Sequence, residues 1–486
     1  MTSITLYGGV GEVGGNKILV SEGKNSFFFD FGMSFKAMGM YFDEFMKPRK
    51  LNGMGDLLEM GILPELRGIY RQDYLRRMQR EPEKKPAVEG VFLSHAHADH
   101  VAHITYLRPD IPIYGTLPTC RIMQALSETG AAFSELMVMK EAFRFRPKKT
   151  NPLEYTKMKG VEVEVGRKVK ELEGPVQIGK MKIEAVPVNH SLPGACGYIV
   201  ETPSGTVVYT GDLRFHGYGG HLTEAFVKKA AEAEPKLLIS EGTRIDSDGG
   251  LTEEEVKGEI LGHMEGCKKL VLANWPVRDT DRLRTFYEVA KKSGRKLAIC
   301  TKQAYILKML YDAKVGTPSP KDKHIAVYMR RKGWGTLGEE GWPENIMLAD
   351  YADWEKEFLD YENMVTYKDV KESQEEYLLR CDFFELAELI DLKPDKGSVY
   401  IRSVVEPFNE EMELDEKRVK NWLAHFGLLP YKQTHCSGHA RGPELKRMIE
   451  AIAPEMLMPV HTEKPEKFKG LAEKVVIPKK GRKYEI

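Results

Sequence analysis

The chain has 486 residues, with 72 Lys plus Arg set against 72 Asp plus Glu. That length allows two or three domains with proper cores, and the even balance excludes a globally basic protein while leaving room for a local basic cleft. The six cysteines form no CxxC pair, the start has no leader character, and no apolar run is long enough to span a bilayer, so the expectation is a cytoplasmic protein with free thiols and no membrane partner.

The first elements read as short strands, at Ile4–Tyr7, Lys17–Ser21 and Ser26–Phe31. Between the first two lies Gly9-Val10-Gly11-Glu12-Val13-Gly14, a formal GxGxxG. A dinucleotide site needs such a loop to open a helix. Here Gly14-Gly15-Asn16 runs into the strand pattern of Lys17–Val20, so the loop is a tight hairpin and NAD and FAD are rejected. Asp30 ends the apolar Phe27–Phe29 run. It either orients a ligand imidazole from behind or caps the Phe31-Gly32 turn.

After a Met-rich stretch from Phe35 to Lys85, Val91–Leu93 reads as a buried strand and leads into Ser94-His95-Ala96-His97-Ala98-Asp99-His100. His95 and His97 alternate, so both can point nitrogens at one centre, while Asp99 and His100 turn towards a second. Imidazole and carboxylate together suit zinc or manganese, and a metal is the simplest way to satisfy so many polar groups at a strand end.

Pro118–Thr129 then reads as helix, with Val161–Val165, Val176–Pro187, Gly197–Glu201, Thr206–Thr210 and Lys236–Ser240 as extended segments. A polar site closes three of these strands: Asn189-His190-Ser191, Gly211-Asp212-Leu213 and Glu241-Gly242-Thr243. A lone histidine is ordinarily structural and a lone Gly-Asp ordinarily a turn. The order His-x-His-x-Asp-His, then His, then Gly-Asp is a two-metal ligand sequence. Further on, a helix starts near Leu251–Glu255, followed by strand Lys269–Asn274, helix Thr280–Lys292, strand Lys296–Cys300 and a loop at Lys314–Lys323. This βαβ rhythm predicts a small parallel sheet. The basic clusters Arg76–Lys85, Lys140–Lys149, Lys321–Lys332 and Lys479–Lys483 read as solvated faces.

These motifs, with Ser437-Gly438-His439 and Pro459-Val460-His461-Thr462-Glu463, resemble the metallo-β-lactamase fold in its β-CASP branch. The Gly8–Asn16 segment and the Thr210–Phe215 run look most like RNase J and its archaeal relatives, although no counterpart of an extra carboxyl-terminal domain follows His461 and the 35–85 piece is expanded. The resemblance implies an α/β (α+β) protein: an αββα metallo-β-lactamase sandwich from residues 1–242 and 431–486, with an inserted β-CASP domain over 243–430.

It also implies two divalent ions, zinc first and manganese or magnesium next. His95, His97 and His190 would hold one, Asp99, His100 and His461 the other, with Asp212 bridging. Ions spaced roughly 3.5–4 Å apart activate a water and offset phosphate charge. Glu241 would orient a metal-ligand histidine or that water, and His439, with the Ser437 and Gly438 amides, would hold a phosphate oxygen. Asp30 and Asp212 complete the catalytic set. Within this branch a histidine at the last motif, here His461, points to RNA rather than DNA.

The expected function is therefore metal-dependent hydrolysis of single-stranded RNA, exonucleolytic from the 5′ end, endonucleolytic, or both. The RNA is expected in a cleft between sandwich and insert, with Arg278, Arg282 and Arg284 on a helix facing it. Arg402-Ser403 and Arg278-Asp279-Thr280 are the candidates for a terminal-phosphate pocket. A β-CASP DNA nuclease, a catalytically silent RNA-binding paralogue and a small-molecule hydrolase are the competing readings. Relatives of this kind form dimers or larger assemblies.

Overall fold

In the computed structural model, all residues are described except 44, 50, 51, 131–133, 143–144, 158–162 and 408–409. The chain divides into two compact units. The first comprises residues 1–215, 219–248 and 439–486, and the second 216–218 and 249–438.

The first unit is built on two seven-stranded sheets. In one, the order is Val169–Glu171, Ile113–Gly115, Val91–Phe92, Asn25–Phe29, Lys17–Glu22, Thr2–Gly8 and Lys483–Glu485. In the other it is Val176–Ile178, Met181–Pro187, Cys196–Thr202, Gly205–Tyr209, Leu237–Glu241, Met456–Val460 and Lys474–Val475. The two-residue side-chain period of a strand explains why both sheets are apolar on their facing sides. Val207, Tyr209, Leu237, Ile239, Met458 and Val460 point one way, into a core shared with Ile4, Leu6, Ile18, Phe27 and Phe92 of the first sheet. Their neighbours Val208, Leu238 and Leu457 point the other way, against Phe226 and Ala230 of helix Gly220–Glu232 and Leu445 and Ile449 of helix Gly442–Ile452. The arrangement is consistent with the αββα sandwich that the family resemblance implies.

The glycine-rich GxGxxG segment joins antiparallel strands, with Ile4 opposite Val20 and Leu6 opposite Ile18. It is a hairpin, as the strand pattern after Asn16 required. Residues 161 and 162 of the extended stretch 161–165 lie outside the described residues, and Glu164–Gly166 is a strand. The Met-rich piece holds short helices at Phe35–Gly39, Gly53–Glu59 and Gln72–Arg77.

The second unit carries a sheet in the order Met364–Val365, Ile325–Tyr328, Lys296–Cys300, Tyr377–Arg380, Val271–Asn274, Val399–Arg402 and Lys432–Gln433, every pair parallel. Both faces are covered, as parallel strands require. Its first helix, Glu253–Met264, opens with Thr252 and Glu255 each bonding the other's backbone amide, which satisfies donors that a helix start leaves unpaired. Helix Thr280–Lys292 falls where the sequence put it, but its arginines do not form one solvent-facing row. Arg282 is fully buried and forks onto Glu253 at 3.1 Å, with further bonds to Ser403 and Cys436. The expectation of Arg282 as a nucleic-acid contact is therefore corrected: its charge neutralises a buried carboxylate. Arg284 is exposed, stacked on the Tyr218 ring at 4.5 Å and paired with Glu288, and Arg278 precedes the helix.

Candidate metal centre

Strand Val91–Phe92 delivers Ser94–His97 at its carboxyl end, and Ala98–Val101 coils into a single helical turn that swings Asp99 and His100 away from His95 and His97. Strands Met181–Pro187 and Gly205–Tyr209 end just before His190 and Asp212. Strand Leu237–Glu241 ends on Glu241, and its parallel neighbour Met456–Val460 ends before His461. All these strand ends therefore meet at one edge of the sandwich.

Two donor groups result. In one, Nδ1 of His97 lies 3.0 Å from Nε2 of His95 and 3.1 Å from Nε2 of His190. In the other, Nε2 of His461 lies 3.2 Å from Oδ2 of Asp99 and 3.4 Å from Oδ2 of Asp212, while Nε2 of His100 is 3.1 Å from that same Asp212 oxygen. Asp212 Oδ2 is also 3.7 Å from His95 Nε2, so this carboxylate stands between the groups. Nitrogens and oxygens held this close, most of them on buried side chains, fit a divalent cation at their centre. A second observation agrees: Oδ1 of Asp212 is buried with no hydrogen-bond partner, a costly state that coordination to a cation would relieve.

The backbone bends to make this possible. Asp30 and His461 hold φ of 53° and 52°, a region L-residues rarely occupy. Gly211 sits at φ 56°, where an added Cβ would come within 2.8 Å of the Cys196 carbonyl and the Ser94 side chain, so only glycine turns the chain into Asp212 there.

The surrounding residues fix the rings. Asp30 accepts hydrogen bonds from the Ser94 amide (2.7 Å), the Ser94 hydroxyl (2.8 Å), the Tyr209 hydroxyl (2.7 Å) and His100 Nδ1 (2.8 Å). The bond from His100 Nδ1–H leaves Nε2 with its lone pair towards Asp212, the tautomer a ligand needs. Ser94 Oγ lies 3.0 Å from His95 Nδ1 and so does the same for that ring, and Thr243 Oγ1 is 2.8 Å from His461 Nδ1. Of the two roles the sequence left open for Asp30, the geometry displays the imidazole partner. Ser94, Tyr209 and Thr243 were not singled out from the sequence, because a hydroxyl carries no signal until a ring nitrogen is placed against it.

Electrostatics divide the histidines. Burial, then neighbouring imidazoles, hold His95 and His190 well below the ordinary histidine range. Burial opposes charge on His100 as well, but Asp212, Asp30 and Asp99 outweigh it and raise its pKa. Asp212 is held low because His461 and His100 overcome the effect of burial. His439 differs. Its Nδ1 lies 3.2 Å from the buried Glu241 carboxylate, which also accepts the Leu213 amide. Burial works against its charged ring, yet Glu241 and then Asp212 push its pKa to about 9. Glu241 thus partners His439. Ser437 and Gly438 precede it in the chain within the second unit, where the Ser437 carbonyl accepts from His216 Nε2 at 2.9 Å.

The chain is similar to known proteins along most of its length. Residues 63–248 match a beta-lactamase superfamily domain, and residues 431–478 match a Zn-dependent metallo-hydrolase RNA specificity domain. Ribonuclease J of Pyrococcus abyssi is 26% identical over 490 residues, covering 95% of this chain and 90% of that protein. Ribonuclease J of Helicobacter pylori strain J99 is 24% identical over 472 residues, and there the chain spans only 56% of the relative's length. That of Methanocaldococcus jannaschii is 23% identical, covering 94% of this chain and 90% of the relative. A crystal structure of a protein of unknown function from Enterococcus faecalis V583 superposes with a TM-score of 0.72 at 23% identity over 99% of both chains, a likeness of fold. With these two domains in order along the chain and archaeal ribonuclease J proteins similar to it over nearly its whole length, the chain resembles the ribonuclease J-like, β-CASP branch of the metallo-β-lactamase superfamily.

Proposed function

We propose that the chain is a metal-dependent ribonuclease that hydrolyses phosphodiester bonds of single-stranded RNA with two divalent ions. The observation that carries this reading is the pair of donor groups meeting at Asp212, one of whose oxygens is buried without a partner. His95, His97 and His190 would hold one ion, Asp99, His100 and His461 the other, and Asp212 both. Such a pair supplies Lewis acidity at the phosphate and brings a water near neutral pKa. Zinc is the first choice for a donor set of this kind.

The chain's own residues do the rest. Asp30 and Ser94 hold the imidazole tautomers, so the donors need no rearrangement when substrate arrives. Glu241 engages His439 through Nδ1, and this ring, held cationic beside the two donor groups, would donate to a non-bridging phosphate oxygen. RNA is favoured as substrate because His439 and His461 both lie in the segment similar to an RNA specificity domain. The relatives that align along the chain are ribonucleases by name.

The test is a time course on end-labelled RNA bearing a 5′-monophosphate, 5′-triphosphate or 5′-hydroxyl, with zinc or manganese supplied. Cleavage of RNA that stops on chelation and returns with metal is expected. Mononucleotides released only from the monophosphate substrate would mark a 5′-exonuclease, and internal fragments an endonuclease. Metal-replete protein that leaves RNA intact would sink the proposal.

A further inference from the structure

The contacts of the glycine hairpin of residues 8–16 converge on one of the two donor groups. The Gly15 and Asn16 amides both donate to the Asp99 carbonyl, at 3.0 and 3.2 Å. The Gly9 carbonyl accepts the His461 amide at 2.9 Å. Gly14, at φ 79°, passes so close that a Cβ there would lie 2.5 Å from Asp99 Oδ2. The Asn16 side chain reaches the third ligand indirectly: its Nδ2 donates to the Tyr209 hydroxyl at 2.8 Å, which donates to Asp30, which in turn accepts from His100 Nδ1. The loop is itself braced, by Glu12 against the Gly9 amide and the Ser34 hydroxyl, and by the buried Lys17 ammonium on the Gly15 and Gly32 carbonyls.

Asp99, His100 and His461 come from sequence positions as far as 362 residues apart. A single hairpin reaches all three, directly or through a relay of three hydrogen bonds. The other group is set mostly from elsewhere: Arg214 bonds Asn189 next to His190 in sequence, and His95 Nδ1 is met by Ser94, which lies one hydrogen bond further along the same relay because Asp30 also accepts the Ser94 hydroxyl. Residues that orient ligands from behind govern how tightly a metal is held without touching it.

We infer that the 8–16 hairpin, through Asn16 and its hydrogen bond to Tyr209, is the positioning element for the ion held by Asp99, His100 and His461. It sets the affinity of that ion separately from the other. This rests on the assignment of ligands made above. The two ions should therefore respond differently to a change that leaves every ligand in place.

The experiment loads the full-length protein with zinc and follows its release into a chromophoric chelator, for wild type, Asn16→Ala and Tyr209→Phe. Thermal melting of the same loaded samples reports folding. Tyr209→Phe keeps the ring that packs 5.0 Å from Phe29, so it stands in should Asn16→Ala not fold. Expected is a biphasic release in which one ion is held as in wild type and the other is weakened about 10- to 100-fold. Equal weakening of both ions, or none, overturns the inference while the two-ion reading stands. A wild type that holds a single ion overturns the ligand assignment, and this inference with it.

Discussion

Asp212 places one oxygen within 3.1–3.7 Å of His100, His461 and His95 while its other oxygen has no partner. Because that oxygen stands between the two donor groups, Asp212→Ala is expected to abolish RNA cleavage and lower zinc content. A variant that retains both ions by elemental analysis would refute its bridging role. His439 is the contrasting case. Placed on phosphate rather than on metal, His439→Ala should keep both ions and lose turnover by roughly 10² to 10³, the scale of one preorganised donor. Loss of an ion in that variant would show that His439 is a ligand, a role its distances to Glu241, Asp212 and His461 also permit. The proposed ligands could be picked out in the sequence because six of the seven follow apolar strand patterns at the spacing metal geometry requires. The residues behind them could not, since Asn16 and Tyr209 look like any hairpin amide and any core aromatic until the fold brings them to Asp30.

At the scale of elements, period and punctuation served well. Helix Thr280–Lys292 and strand Lys296–Cys300 have the bounds the pattern gave, because capping Asp279 and the Ser293-Gly294 turn mark the ends. What periodicity could not tell was which arginine is solvated. Arg282 lies on the buried side with Leu283, Phe286 and Val289, and Glu253, on another helix, makes that tolerable. Removing one partner of such a buried pair leaves an uncompensated charge, so Glu253→Ala should destabilise by about 3–5 kcal/mol. Urea unfolding measures this, and a loss below about 1 kcal/mol would contradict the burial argument. In the sandwich, Leu238 packs between sheet and helices with no exposure. Its replacement by Ala should cost about 2–5 kcal/mol, read from the same unfolding curves.

For the whole molecule, the equal count of acidic and basic residues limits how RNA is held. With no excess positive field, affinity must come from a few local phosphate contacts. The logarithm of binding should then fall with that of salt at a slope of about −0.7 per contact for a single strand. Competition at fixed ionic strength should rank single-stranded RNA above single-stranded DNA and duplex RNA, and indifference among the three would count against the substrate assignment. In the sequence a βαβ rhythm takes over after Glu241, and the chain passes between the two compact units without a proline-rich or low-complexity linker to mark the passage.

The first unit is completed by strand Met456–Val460, which pairs beside Leu237–Glu241 although some 200 residues separate them in the chain. This has a consequence for synthesis. At ~5–20 residues per second, a ribosome takes roughly ten seconds or more to translate the intervening second unit. During that interval the nascent chain carries His95, His97, His190 and Asp212 but lacks His439 and His461. An RNA-cleaving centre assembled in this order lacks two of its histidines until the whole second unit has been translated and the late strand has docked.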